Sequence, residues 1–230
     1  ALFIHKPYTI GIAGSVGKSS ARNALYAVLK DEFRTKLVSG NSETGVPLGI
    51  LGIIPIGYSA SSWGKMLILA PFKIFSTVAY SHMIVEMGID DPFPPKNMQY
   101  LLTIIKPEIA IILNAAATHT MQFEKTLSEK ERALPDKKRL EVLIDRIAEE
   151  DSKIVSSDCL VAIYNGSDPS VSKHILNLNS KAKLLSFSDN VSSCIFKNYK
   201  IGLSGSGFDF LLKTKNKEEK ICFNGSIRRT

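Results

Sequence analysis

The stretch AGSVGKSS, residues 13 to 20, sets two glycines ahead of a lysine and two serines, after the apolar run YTIGI and before ARNALYAVLKDEF, which has amphipathic helical spacing. Such a loop can do phosphate chemistry. Gly14 and Gly17 let the chain turn tightly, so that the N–H groups of Gly14, Ser15, Val16 and Gly17 face an anion, and the helix that follows adds its positive end. Lys18 would reach phosphate oxygens, the Ser19 hydroxyl would ligate a Mg²⁺ bridging them, and Ser20 adds a second hydroxyl. The strict pattern G-x-x-x-x-G-K-[ST] fails, because Ile12 stands where its first glycine belongs. The residues therefore leave two readings, a phosphate loop or a glycine turn followed by a lysine, and the strand–loop–helix setting favours the first.

Two further segments carry candidate groups. HMIVEMG is an apolar strand that ends on Glu86, and EIAIILN is another that ends on Asn114, with His119 five residues on. Taken singly, Glu86 is either a ligand carboxylate or a helix-capping acid, and His119 either a ligand or a surface imidazole. Taken together, three adjacent parallel strands would deliver Lys18 and Ser19, Glu86, and Asn114 with His119 to the edge of the sheet that holds ligands. A hydroxyl, a carboxylate and an imidazole around a nucleotide phosphate would make a two-metal site.

The elements that must position these groups alternate. YTIGIAG precedes a helix over 18 to 33, TKLVSG a glycine-rich loop, HMIVEMG the segment PPKNMQYLLTII, and EIAIILN a polar stretch with a helix over 136 to 149; SKIVSS and LVAIYN read as further strands. Continuous apolar strands separated by helices predict an α/β fold of P-loop type, a mainly parallel sheet with helices on both faces. Beyond about residue 182 short β pieces without helices (AKLLSFS, SCIFKNYKIG, FDFLLKT, KICFNG) predict a small antiparallel region near the C-terminus. The expected organisation is a P-loop ATP-binding core over 1–181 and an antiparallel β extension of the same domain over 182–230.

The 230 residues are 44% apolar and 22% charged, an ordinary globular composition. The net charge of +7 comes from scattered lysines and arginines, and its densest patch, EKERALPDKKR, also carries acids. That pattern points to a solvated face and phosphorylated small molecules rather than to nucleic acid. Cys159, Cys194 and Cys222 lie far apart without metal-ligand spacing, which argues against a disulfide framework and for a reducing cytoplasm. No signal peptide is expected. The most apolar window, MLILAPFKIFSTVAYSHMIV over 66–85, is broken by Pro71, Lys73 and His82, so it reads as a buried helix running into a buried strand rather than an integral membrane segment.

The ordered set of motifs resembles the central ATPase domain of the Mur ligase superfamily, whose loop reads T-G-x-x-G-K-[TS]. SGNSETGVPLGIL over 39–51 is similar to the G-N-x-N-x-x-G-V-P-L segment of the branch that adds D-alanyl-D-alanine to the muramoyl tripeptide, and VEMGID, KPEIAIILNAAATHTMQF and AIYNGSDP continue the likeness over roughly residues 8 to 170. The resemblance implies ATP-dependent amide formation in peptidoglycan precursor synthesis: a substrate carboxylate attacks the γ-phosphate, and an amine displaces the resulting acyl phosphate. It implies ATP and Mg²⁺ as cofactors, with Lys18 and Ser19 on the phosphates and the first metal, Glu86 a metal ligand, His119 on the second metal, Asn114 beside the metals, and Asn165 and Asp168 near the nucleoside. The expected partners are ATP, a UDP-muramoyl-peptide-like carboxylate, and an amine held by a C-terminal domain that this stretch of chain lacks.

The chain departs from the family in four ways. Ala13 replaces the usual Thr. Where most members carry a carbamylated lysine facing the second metal, RIAEEDSKI aligns Asp151, and a slip of alignment would select Lys153. The segment 53 to 80 is longer than expected and reads as an extra helix whose apolar face could meet a missing domain, a membrane surface or the sheet. The flanking domains of the family have no counterpart in the motifs, so the chain is either an excised central domain or a shorter relative, expected to bind nucleotide with little ligase turnover. Two other readings stand beside this one: another P-loop small-molecule kinase, or a non-catalytic nucleotide-binding module.

Overall fold

The computed structural model describes residues 2, 6–55, 57, 59–76, 79–188, 194–202, 205–214 and 217–225; for Ser76 and from Ser188 onward only the backbone is described. One sheet in the order β2-β3-β1-β4-β5-β6-β7-β8-β9 runs through the molecule. Strand β1 (Tyr8–Ala13) lies between β3 (His82–Glu86) and β4 (Ile109–Ile112), parallel to both, with Ile12 opposite Glu86 and Ala13 opposite Ile112. Strand β2 (Thr35–Leu37) flanks β3, and β5 (Val161–Asn165) and β6 (Lys183–Ser188) extend the parallel set beyond β4. Because these strands run the same way, their C-terminal ends share one edge.

The strands are apolar along their length because both faces are covered. Ile10, Ile12 and Ile84 face α1 (Lys18–Leu29), packing with Leu25, Tyr26 and Leu29. The alternate positions Ala13, Met83, Val85, Ala110 and Ile112 face a larger cluster with Leu101 of α4 (Met98–Ile104), Leu143 and Ile147 of α7 (Asp136–Ser152), and Val171 and Ile175 of α8 (Pro169–Leu176). This two-residue alternation divides the core into two layers. Between them the chain adds α2 (Gly45–Leu51), α3 (Ala60–Ser76) and the short α5 (Thr120–Phe123) and α6 (Glu129–Arg132). Strands β7 (Cys194–Gly202), β8 (Gly205–Thr214) and β9 (Lys217–Gly225) continue the sheet, β7 beside β6 and the β7–β8 and β8–β9 pairs antiparallel.

The expected α/β architecture holds, with four local corrections. The first helix stops at Leu29, short of residue 33. Helix α7 runs on to Ser152, so SKIVSS is not a strand: residues 153–157 turn off the helix end, and Ile154 and Val155 enter the core from there. An apolar pair cannot be told from a strand by pattern alone when the preceding helix delivers it to the core. AKLLSFS, expected to open the antiparallel region, instead joins the parallel set as β6. The window 66–85 does form a helix and then a buried strand, but the helix is not buried. Cys159 is buried and free, and burial pushes its thiol up; the side chains of Cys194 and Cys222 lie outside the described residues. Among the described residues no helix is long and apolar enough to cross a membrane.

Candidate nucleotide and metal site

The loop between β1 and α1 takes a shape that only glycine accommodates at two points. Gly14 has φ +126°, and a Cβ there would lie 3.1 Å from the backbone N and O of Asn114; Gly17, at φ +90°, starts α1. Both values are in the left-handed region that penalises side chains. The close approach at Gly14 lets β4 hold the loop. The Ser15 N–H donates to the Asn114 carbonyl at 2.8 Å, the Val16 N–H donates to Asn114 Oδ1 at 3.0 Å, and Asn114 Nδ2 donates back to the Val16 carbonyl at 2.9 Å. Ser15 Oγ accepts from the Ala116 N–H at 2.9 Å. Asn114 thus spends its amide on holding the loop in shape, a role that its place at the end of an apolar strand does not announce.

The Lys18 ammonium folds over the loop, donating to the Gly14 carbonyl and lying 3.5 Å from that of Ser15. A bound phosphate would offer it charged acceptors in place of these neutral ones, a stronger class of hydrogen bond. One residue on, Ser19 Oγ donates to Glu86 Oε2 at 3.2 Å. The pairing follows from register, since β3 ends beside β1 where α1 begins. The Arg22 guanidinium lies 2.9 Å from Glu86 Oε1, an ion pair that leaves this buried oxygen without a hydrogen bond. No motif marks Arg22, yet its spacing carries a signal: Ser19 and Arg22, three apart, share one face of α1.

Beside the loop is a pocket of about 60 Å³, lined by Gly14, Lys18, Asn41, Asp90, His119 and Asp151 among others. Asp151, in the last turn of α7, is 2% exposed, and its Oδ2 has no hydrogen-bond partner. Burial raises its carboxyl from the ordinary 3.8 to about 7; Lys18 and the Gly14 N–H pull the other way, and Glu150 adds to the rise. Lys153, the other candidate for this position, turns away: it pairs with Glu150, whose Oε1 accepts the Met98 N–H at 2.9 Å and so caps α4. His119 adopts φ +54° and ψ +24°, unusual for a residue with a side chain, and its Nε2 stands 3.5 Å from Asp90 Oδ1. Asp90 and Asn41 are not among the residues expected at the site, although both fall inside the motifs VEMGID and SGNSETGVPLGIL.

The remaining expected residues sit apart from the pocket. Asp168 caps α8, its Oδ1 accepting the Ser170 and Val171 N–H groups at 3.0 Å, while Oδ2 accepts the Ala115 N–H at 2.9 Å. Asn165 Oδ1 accepts the Ser167 N–H at 3.0 Å. These groups brace the edge of the sheet next to Asn114. Ser20, on the first turn of α1, makes no hydrogen bond that bears on the loop.

A hard divalent cation fits this chemistry. Mg²⁺ takes oxygen ligands and commonly uses only one or two carboxylates, the rest coming from phosphate and water. The Ser19 hydroxyl with Glu86, and separately the unpartnered Oδ2 of Asp151 across from His119, are oxygen sets of that kind. Among the described residues no three His, Cys, Asp or Glu side chains converge into an all-protein metal cage.

No protein-family model matches the chain. It is 25% identical over 211 residues to the UDP-N-acetylmuramoyl-tripeptide–D-alanyl-D-alanine ligase of Borreliella burgdorferi, a match covering 89% of this chain and 35% of the relative. Its fold superimposes on the ADP complex of MurF ligase from Thermotoga maritima with a TM-score of 0.64 at 17% identity, covering 97% of this chain and 42% of that one. MurF from Acinetobacter baumannii gives 0.61 at 16% identity, with 96% and 39% covered. The chain therefore spans well under half the length of these proteins. Motifs, identity and fold agree: this chain resembles the central domain of the Mur ligase superfamily, in the branch that joins D-alanyl-D-alanine to the muramoyl tripeptide.

Proposed function

We propose that this chain is the ATP-binding domain of a Mur-type amide ligase, acting in the cytoplasm on a UDP-muramoyl-peptide-like carboxylate in peptidoglycan precursor synthesis. The observation that carries the reading is the loop itself: Gly14 and Gly17 in left-handed conformations, bound by both ends of the Asn114 amide, with Lys18 next to a buried, unpartnered Asp151 oxygen. The ADP bound to the MurF ligase of Thermotoga maritima supports a nucleotide in a fold of this kind.

In this reading the loop N–H groups and Lys18 bind the β- and γ-phosphate oxygens of ATP. Ser19 and Glu86 would hold one Mg²⁺, and His119 with Asp151 a second; bound there, the metals offset the charge of carboxylate and phosphate as they approach. The substrate carboxylate oxygen attacks the γ-phosphorus, the bond to the leaving ADP oxygen breaks, and an acyl phosphate forms. The amine then attacks the acyl carbon, phosphate leaves, and the amine loses a proton to give the amide. The chain's own part is positioning and electrostatic stabilisation. Arg22 holds Glu86 in place from the helix side. Asp151, whose carboxyl burial raises to about 7, would give up its proton in holding a cation.

The test is thermal unfolding with ATP, with and without Mg²⁺. Ligand at about 100 times its dissociation constant should add roughly 2.7 kcal/mol of stability. That gain is expected to require Mg²⁺ and to vanish in Lys18→Ala. ATP stabilisation of equal size in Lys18→Ala, or none in the wild type, would overturn the assignment.

A further inference from the structure

Helix α3 is apolar on both of its sides. Met66 is buried and Trp63, Ala70 and Ile74 are half-buried toward the protein. On the opposite side Leu67, Ile68, Phe72 and Phe75 are exposed by 67%, 69%, 70% and 80%. At 100° per residue, Ile68, Phe72 and Phe75 fall on one solvent-facing stripe, with Leu67 and Leu69 on its borders. A helix that is hydrophobic all round belongs in a covered environment, and an apolar patch of this kind on a soluble domain marks an interaction surface.

Charge identifies the cover. From Thr44 to Val85 the sequence contains no Asp or Glu, and both of its lysines, Lys65 and Lys73, are exposed on α3. Lys73 is close enough to Lys36 to lower the affinity of that ammonium for its proton, second to burial, so the border of the patch is positive and its own stretch of sequence supplies no acid to offset it. Lysines flanking Phe and Leu are the composition of a helix lying in the headgroup boundary of an anionic bilayer. At 17 residues α3 is about 25 Å long, too short to cross a hydrocarbon core of about 30 Å, so it would lie flat.

We propose that α3 docks this domain on an anionic phospholipid surface, with Ile68, Phe72 and Phe75 seated in the headgroup boundary and Lys65 and Lys73 against the lipid phosphates. The surface is separate from the nucleotide loop, and the proposal stands whether or not the domain binds ATP.

The experiment is co-sedimentation of the full 230-residue chain with vesicles of phosphatidylcholine alone and of phosphatidylcholine with phosphatidylglycerol. Binding is expected on the anionic vesicles and little on the neutral ones. Lys65→Gln and Lys73→Gln should each weaken it about fivefold, and added salt should weaken it further. Phe72→Glu with Phe75→Glu should weaken it more than about tenfold, since a charge in place of each ring opposes insertion. Both exposed pairs keep the fold, which circular dichroism and size-exclusion chromatography check. A folded wild-type chain that stays with the supernatant, or a Phe72→Glu/Phe75→Glu variant that binds as the wild type does, overturns the proposal. So does a wild-type dimer that Phe72→Glu/Phe75→Glu dissociates while vesicles bind neither, because the patch is then a protein interface.

Discussion

The loop at the end of β1 and the helix α3 are built on opposite principles. Around the loop nearly every polar group meets a partner inside the chain: Asn114 bonds twice to Val16, Ser15 to Ala116, Ser19 to Glu86. Its exceptions, the Oε1 of Glu86 and the Oδ2 of Asp151, are buried oxygens next to cationic side chains. On α3 the polar groups are few, and apolar side chains stand where water would be. A site that orients a small ligand is defined by what its polar atoms lack; a surface that meets an extended partner is defined by what its apolar atoms lack. The contrast predicts that substitutions in the first region cost stability and that solvent-side substitutions in the second do not.

The most severe break should come from Gly14→Val. A branched side chain at φ +126°, with its Cβ 3.1 Å from the Asn114 backbone, is expected to cost on the order of 3 to 4 kcal/mol. Urea unfolding measures it, and a wild-type midpoint would mean that the loop does not need its glycine.

Asp151→Asn sharpens the comparison with the opposite sign. The folded-state value, raised to about 7 from 3.8, makes the ligand-free protein lose stability as pH rises across that interval and then level off, because the folded state keeps a proton that the unfolded state releases. The variant lacks this slope, so in the absence of ligand it should exceed the wild type by roughly 4 kcal/mol above pH 7 and converge with it near pH 4. Parallel stability–pH curves for the two proteins would refute the buried, near-neutral carboxyl. Mg·ATP stabilisation should fall in the same variant.

A smaller effect is expected from Asp168→Ala, which removes the cap of α8 and strands the Ala115 N–H: about 1 to 2 kcal/mol in thermal unfolding. The smallest belongs to the other region. Phe72→Ser should leave stability within about 0.5 kcal/mol, since the ring is 70% exposed. A loss of more than that would show that Phe72 packs on the protein, and the contrast between the regions would collapse.

Much of the arrangement is legible in the chain because the parallel core repeats one signal. Apolar strands leading to Ala13, Glu86, Asn114 and Asn165 locate the shared C-terminal edge of the parallel strands by their pattern alone, and two glycines before a lysine mark the loop on it. The mismatches have a common physical source. SKIVSS has the pattern of a strand because Ile154 and Val155 are buried, but burial does not distinguish a strand from a chain turning off the end of α7. The window 66–85 has the composition of a buried segment, yet apolarity says that a surface prefers cover, not that this chain supplies it. Arg22 shows only through its spacing from Ser19, and Asp90 and Asn41 lie inside motifs without standing out in them, because the importance of all three comes from neighbours distant in sequence. Asp151 and Lys153 differ by two residues of helical phase, and the packing of α7 puts Asp151 in the pocket and Lys153 on Glu150.

Residues 114 to 116 have a consequence beyond the site. Asn114 and Ala116 bond to the loop, and the Ala115 N–H bonds to the carboxylate that caps α8. Loop and helix are thus fastened to one short clasp, and neither can come away without loosening the other's hold. In deuterium exchange the Val16, Ser170 and Val171 amides should open in a single event and be slowed together by ligand in the loop, although α8 never touches it. The clasp would turn occupancy at one strand end into rigidity two strands away.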